Sequence, residues 1–165
     1  MKLLDGKALS EQIKAEIKAE TSLWTQQGNK TPHLAAVLVG NNPASLSYVS
    51  SKVKSCEEVG FQSTLIRLPD TISQSELLQT IENLNQNPDI DGYIVQLPLP
   101  SQINESVVLQ AIDPEKDVDG FHPLNIGKMT LNLPCYLPAT PKGILTILDR
   151  YDIETSGKHC VVPLS

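Results

Sequence analysis

Three short stretches carry side chains whose types could do chemistry. Tyr48 and Lys52 stand four apart, a spacing that puts both on one face of a helix. An aromatic ring beside a primary amine offers a stacking platform and a proton carrier. The same pair can equally be a boundary tyrosine and a solvated lysine. Gln96 follows the apolar run Gly92-Tyr93-Ile94-Val95 and precedes Leu97-Pro98-Leu99-Pro100. An amide at the end of a buried strand can aim at a ligand or satisfy backbone groups nearby. Lys116-Asp117-Val118-Asp119-Gly120 follows Pro114. A carboxyl group in such a loop can accept hydrogen bonds from an N–H-rich heterocycle, or cap a turn, which is the commoner use of Asp-Gly.

These residues need elements to position them, and the hydrophobic pattern predicts which. Leu34 to Gly40 is a short continuous apolar run, as in a strand covered on both sides within a parallel sheet. Asn42-Pro43 supplies a cap and a first helical proline. The helix that follows carries Leu46, Val49, Val53 and Cys56 as its apolar stripe, and Gly60 closes it. At 100° per residue, Tyr48 and Lys52 fall on the flank of that stripe. An earlier helix is predicted over about 9–27, with Ile13, Ile17 and Trp24 near one face and Gly28 as its stop. A second strand covers about 61–68. Ser73-x-x-Glu76 is a capping-box signal ahead of the stripe Leu77, Ile81 and Leu84. The third strand runs over Gly92–Leu97 until the prolines end it. A short helix spans Glu105–Ile112, and Thr140-Pro141 reads as the cap and first residue of a last helix with Ile144, Ile147, Leu148 and Tyr151 on its apolar face. Lys158–Val162 reads as one more strand. Residues 120–138 lack periodicity and read as loop with a short irregular strand.

Strand-helix repetition of this kind predicts an α/β fold, a three-layer domain with a mainly parallel sheet. In open parallel sheets ligands bind beyond the carboxyl ends of the strands. All three stretches are expected to converge on that rim.

Composition narrows the partners. Apolar residues make up 40% and charged residues 19%, which fits a folded globular chain rather than a disordered one. The net charge of −6 leaves no surplus of Lys and Arg to neutralise phosphates, so nucleic acid is excluded as the main partner. No apolar run reaches the roughly 20 residues of a membrane helix. The start, Met1-Lys2-Leu3-Leu4-Asp5-Gly6, lacks a signal-peptide core, and a cytoplasmic protein is expected. Cys56, Cys135 and Cys160 lie far apart, as do His33, His122 and His159. Reduced thiols and no metal site are the expectation.

Four blocks make the reading specific: Tyr48-Val49-x-x-Lys52, Val95-Gln96-Leu97-Pro98-Leu99-Pro100, Pro114-Glu115-Lys116-Asp117-Val118-Asp119-Gly120 and Pro138-x-Thr140-Pro141-x-Gly143. In type, order and interval they resemble the signature blocks of the bifunctional methylenetetrahydrofolate dehydrogenase/cyclohydrolase family, from about Leu4 to Val162. The resemblance implies that Tyr48 stacks on the folate, that Lys52 is the catalytic lysine with Gln96 setting its position and protonation, and that Asp119 holds the pterin, with Pro98 also at the substrate. It implies oxidation of 5,10-methylenetetrahydrofolate with NADP, sometimes NAD, then hydrolysis of the methenyl product to 10-formyltetrahydrofolate, and a homodimer for the full-length family. Hydride loss leaves a delocalised cation on the folate and asks for orientation. Hydrolysis needs added water and moved protons, which suits an amine able to release one.

In the family a nucleotide-binding domain follows the last of these elements. Here Lys158–Val162 resembles its first strand, Pro163-Leu164-Ser165 follows, and none of the 165 residues forms a glycine-rich phosphate turn. The expectation is a folate-binding catalytic domain over 1–139 and, over 140–165, a connecting helix and the first strand of a Rossmann domain. No cofactor-binding residue, and hence no NADP binding or dehydrogenase activity, is expected of these residues by themselves. A competing reading is a folate-binding or regulatory fragment without turnover. Retention of Lys52 and Gln96 favours enzyme ancestry.

Overall fold

The structure, a computed structural model, describes residues 3–161. Nine elements follow one another: α1 (Gly6–Gln26), β1 (His33–Val39), α2 (Pro43–Glu58), β2 (Gln62–Leu68), α3 (Gln74–Gln86), β3 (Gly92–Val95), α4 (Glu105–Ala111), α5 (Pro123–Thr130) and α6 (Ala139–Arg150). The strands form one parallel sheet in the order β2-β1-β3. Val37 sits level with Ile66 on one side and Val95 on the other. Because β1 is central and covered on both faces, its whole second half is buried, and it reads as an unbroken apolar run.

The strand order has a consequence for function. The chain leaves β1 towards β2, then crosses back over β1 to reach β3. Right-handed crossovers in opposite directions place their helices on opposite faces, which makes three layers. The order reverses between β1 and β3, the position where open α/β sheets bind ligands.

One face of the sheet is filled by Ala35, Val37, Val39, Tyr93 and Val95 against Leu77, Ile81 and Leu84 of α3, with Val108 of α4 and Ile112 beyond it. Leu77 and Ile81 are wholly buried, each stabilising by about 1.5–3 kcal/mol. Ser73 and Glu76 close the foreseen capping box at the start of α3. The other face carries Ala36, Leu38 and Ile94 against Val49 of α2.

Several expectations need correcting. Helix α1 begins at Gly6, because the Asp5 side chain accepts from the Ala8 amide and caps it three residues ahead of Leu9. Trp24 is exposed, its Nε1 donating to the Lys30 carbonyl; the face is completed by Thr21, buried, whose hydroxyl bonds back to Ile17. Strand β3 stops at Val95, level with Val37, and the Gln96 amide makes one more bond, to the Val37 carbonyl, before the chain turns away. The stretch 120–138 contains a helix, α5, started by the His122 side chain accepting from Leu124 N and by Pro123. Helix α6 begins at Ala139 with Pro138 as its cap and no capping side chain, so Thr140 lies inside it. Ile144 on α6 is exposed, while Ile147, Leu148 and Tyr151 are half-buried. Residues 158–161 form no strand, for no described segment pairs with them; Val162 lies outside the described residues. No helix among the described residues is long and apolar enough to cross a membrane.

Candidate active site

Helix α2 starts where β1 ends. Asn42 accepts from the amides of Ala44 and Ser45, and Pro43 opens the first turn. Two turns on, the Lys52 ammonium lies over the Tyr48 ring, 4.9 Å from its centroid. Tyr48 is exposed, so one side of the ring faces open space. Lys52 Nζ also reaches Asp119 Oδ1 at 3.3 Å. Both partners of this pair are largely shielded, at 32% and 21% exposure. An ion pair this near the surface contributes only about 0.2–1 kcal/mol to stability. Its main consequence is where it holds the amine.

Asp119 comes from a segment laid beside β3. The Tyr93 amide donates to the Lys116 carbonyl, and Tyr93 and Asp117 form an isolated parallel bridge. Two glycines permit this. A Cβ on Gly92 would stand 2.4 Å from Val118 Cγ1, so only glycine lets the segment lie against the strand. Gly120 has φ +70°, and a Cβ there would come within 2.8–2.9 Å of the backbone at 136–138. That contact brings the chain leading into α6 over the loop.

The result is a cleft of about 240 Å³ lined by Tyr48, Lys52, Gln96, Asp119, Phe121 and the start of α6. The sequence-predicted quartet Tyr48, Lys52, Gln96 and Asp119 therefore shares one cleft. Gln96 extends the ladder with its amide on the Val37 carbonyl, but its side-chain nitrogen donates to the Leu97 carbonyl at 2.7 Å. Of the two uses open to it, local backbone satisfaction is the one seen. Pro98 is not among the lining residues: the chain bends at Leu97 through a cis peptide, and Pro98 is exposed. Pro138, Thr140 and Pro141 of the fourth sequence block also line the cleft, and Phe121 and Ala139 join them without having been named as site residues in the sequence. The position of Phe121 directly after Asp119-Gly120 was the available signal.

A second cavity, about 410 Å³, adjoins the first through Tyr48, Lys52 and Asp119. It runs along α2 past Ser51 and Ser55 to Cys56, over Ala36 and Ile94 of the sheet. Burial pushes the Cys56 thiol above its ordinary value, with Glu57 adding to the effect and Lys52 opposing it.

The arrangement of an aromatic face, an amine and a carboxyl group around one opening can hold a flat heterocycle and move a proton at its edge. Residues 4–119 match the family model described as tetrahydrofolate dehydrogenase/cyclohydrolase, catalytic domain. The chain is 60% identical over 162 residues to the Bifunctional protein FolD of Christiangramia forsetii, covering 98% of this chain and 54% of that protein. For the Cytophaga hutchinsonii counterpart the identity is 59%, with 98% and 56% covered. Among solved structures, the bifunctional enzyme FolD, methylenetetrahydrofolate dehydrogenase/cyclohydrolase, from Campylobacter jejuni superposes with a TM-score of 0.89 at 47% identity, over 93% of this chain and 54% of that one. The Trypanosoma brucei N5,N10-methylenetetrahydrofolate dehydrogenase-cyclohydrolase, complexed with NADP cofactor and inhibitor, gives 0.88 at 29% identity over 93% and 53%. This chain spans about half the length of the curated relatives it matches. Matched over most of its length in sequence and in fold, the chain belongs to the tetrahydrofolate dehydrogenase/cyclohydrolase family.

Proposed function

We propose that these residues form the folate side of a methylenetetrahydrofolate dehydrogenase/cyclohydrolase, and that residues 1–139 are its substrate-binding catalytic unit. The observation that carries the reading is the meeting of Lys52, Tyr48 and Asp119 at one opening on the strand-order reversal. Tyr48 offers its open face to the flat ring system. Asp119 accepts from ring N–H groups, and in doing so releases its hold on Lys52. In its neutral form the Lys52 amine can take a proton from the water that adds to the methenyl carbon. Gln96, the residue after β3 and part of the same cleft, orients the amine when its side chain turns from Leu97 towards it.

NADP, which the Trypanosoma brucei relative holds, is the hydride acceptor proposed for the whole protein. The described residues do not fit it. The N-terminus of α2 spends its free amides of Ala44 and Ser45 on the Asn42 side chain, and no glycine-rich turn to cradle a pyrophosphate stands among the described residues. No step is therefore assigned to these residues in hydride transfer beyond holding the folate.

Hydrolysis of 5,10-methenyltetrahydrofolate, followed by its loss of absorbance, tests the reading in a version extended to the relatives' length. Lys52→Met should lower the rate by on the order of 10²–10⁴ while folate-analogue affinity stays near that of the parent. Near-parental hydrolysis by Lys52→Met would remove Lys52 from the mechanism.

A further inference from the structure

Asp119 reaches Lys52 from a segment tied to the sheet by one backbone hydrogen bond and an isolated bridge, and to the end of α3 by Lys116 Nζ, which donates to the carbonyls of Leu84 and Asn87; all of these lie ahead of Asp119. Two side chains behind it are 2% exposed, Asp117 and Asn125. Asp117 Oδ2 accepts from the His122 amide at 2.8 Å and from Asn125 Nδ2 at 2.9 Å. The same Asn125 nitrogen donates to the Pro114 carbonyl at 3.0 Å. The Asp117 carbonyl in turn accepts from the Gly120 amide at 3.2 Å. One amide on the first turn of α5 thus ties together the beginning, middle and end of the segment that bears Asp119.

We propose that Asn125 is a positioning residue of the cleft: through Asp117 it sets the 114–122 loop so that Asp119 faces Lys52. An apolar pair of the same volume would leave the His122 amide and the Pro114 carbonyl without these partners. What the buried polar network adds is a single geometry, and a misplacement of about 1 Å in a catalytic group can cost on the order of 10²-fold in rate. Its weight in catalysis rests on the folate reading; its effect on Asp119 does not.

Carbodiimide coupling of the 165-residue chain tests the geometry directly. The reagent activates a carboxyl group, an adjacent lysine nitrogen displaces the resulting urea, and an amide forms only where the two touch. Peptide mass spectrometry then compares the Lys52–Asp119 product with the Lys30–Asp91 product, a 2.8 Å pair at the opposite end of the sheet. In Asn125→Leu the Lys52–Asp119 yield should fall about tenfold against that reference, the scale of one lost buried hydrogen bond. Val108→Ala, in the core of the far layer, should lower the thermal midpoint and leave the ratio unchanged. Asn125→Ser, which keeps one donor, serves if the leucine variant does not fold, and should give a ratio below wild type. An unchanged ratio in a folded Asn125 variant, or an equal fall in Val108→Ala, would overturn the proposal. Binding of 5-formyltetrahydrofolate is measured alongside. Failure of the wild type to bind it counts against the folate reading and leaves the coupling ratio to decide the role of Asn125.

Discussion

The two faces of the sheet are built from alternate residues of the same strands, yet they have different jobs. Ala35, Val37, Val39, Tyr93 and Val95 look towards α3 and α4, where Leu77, Ile81, Leu84 and Val108 close over them. Even the polar atoms there are used: the Tyr93 hydroxyl donates to Asn85 Oδ1, and Asn85 Nδ2 donates to the Ala111 carbonyl. Burial holds the Tyr93 phenol well above its ordinary range. Ala36, Leu38 and Ile94 look towards α2, where the buried cluster is smaller and the cavity and cleft open between α2 and residues 118–121. Close-packed interiors leave no room for a ligand. A site needs one face held rigid so that the other can stay partly unfilled.

Substitution on the closed face should give the largest loss of stability. Leu77→Ala, at a position with no exposure, is expected to lower the unfolding free energy in urea by about 2–5 kcal/mol. Affinity of the remaining folded protein for a folate analogue should not change. Tyr48→Ala is its counterpart on the open face. It should weaken the analogue by about tenfold or more while moving stability by no more than about 0.5 kcal/mol. If the two variants exchanged signatures, the division of labour between the faces would be wrong.

Gly120→Ala should fall between them. A left-handed residue with a Cβ costs about 1–3 kcal/mol, and the backbone at 136–138 must also move away. Stability and analogue affinity should therefore drop together. Loss of stability alone, read by urea titration beside equilibrium binding, would separate the loop from the cleft.

The smallest effect is a matter of access. If the open face has the space described, a small thiol reagent should label Cys56 in the native protein, slowly, because burial disfavours the thiolate. The sign is clear: a raised pKa means that labelling accelerates as the pH climbs past the ordinary value of 9.0. Protection as complete as that of a core residue at every pH would mean that the cavity beside α2 is closed.

Much of the fold was legible because local signals agree with it. The Asn42-Pro43 start, the Ser73/Glu76 box and the unbroken run of β1 each state one element and its limit. Helix α5 was not legible, because its eight residues are too few for a stripe and its start rests on a histidine side chain. Trp24 misled because helical periodicity tells which residues share a face, not which end of the face is covered.

Spacing alone determined that Tyr48 and Lys52 share a helix flank, since four residues make about one turn whatever surrounds them. The residue types determined what each could do. Only the tertiary structure decided that Asp119, 67 positions along the chain, meets that lysine. The meeting depends on parallel strand order, on Gly92 and Gly120 allowing close approach, and on the buried Asp117–Asn125 pair. It also decided that Gln96 turns its nitrogen to Leu97 and that Pro98 points outside the cleft. A side chain's direction at a strand end is set by the bend that follows, and a bend is a property of how the chain packs rather than of one residue.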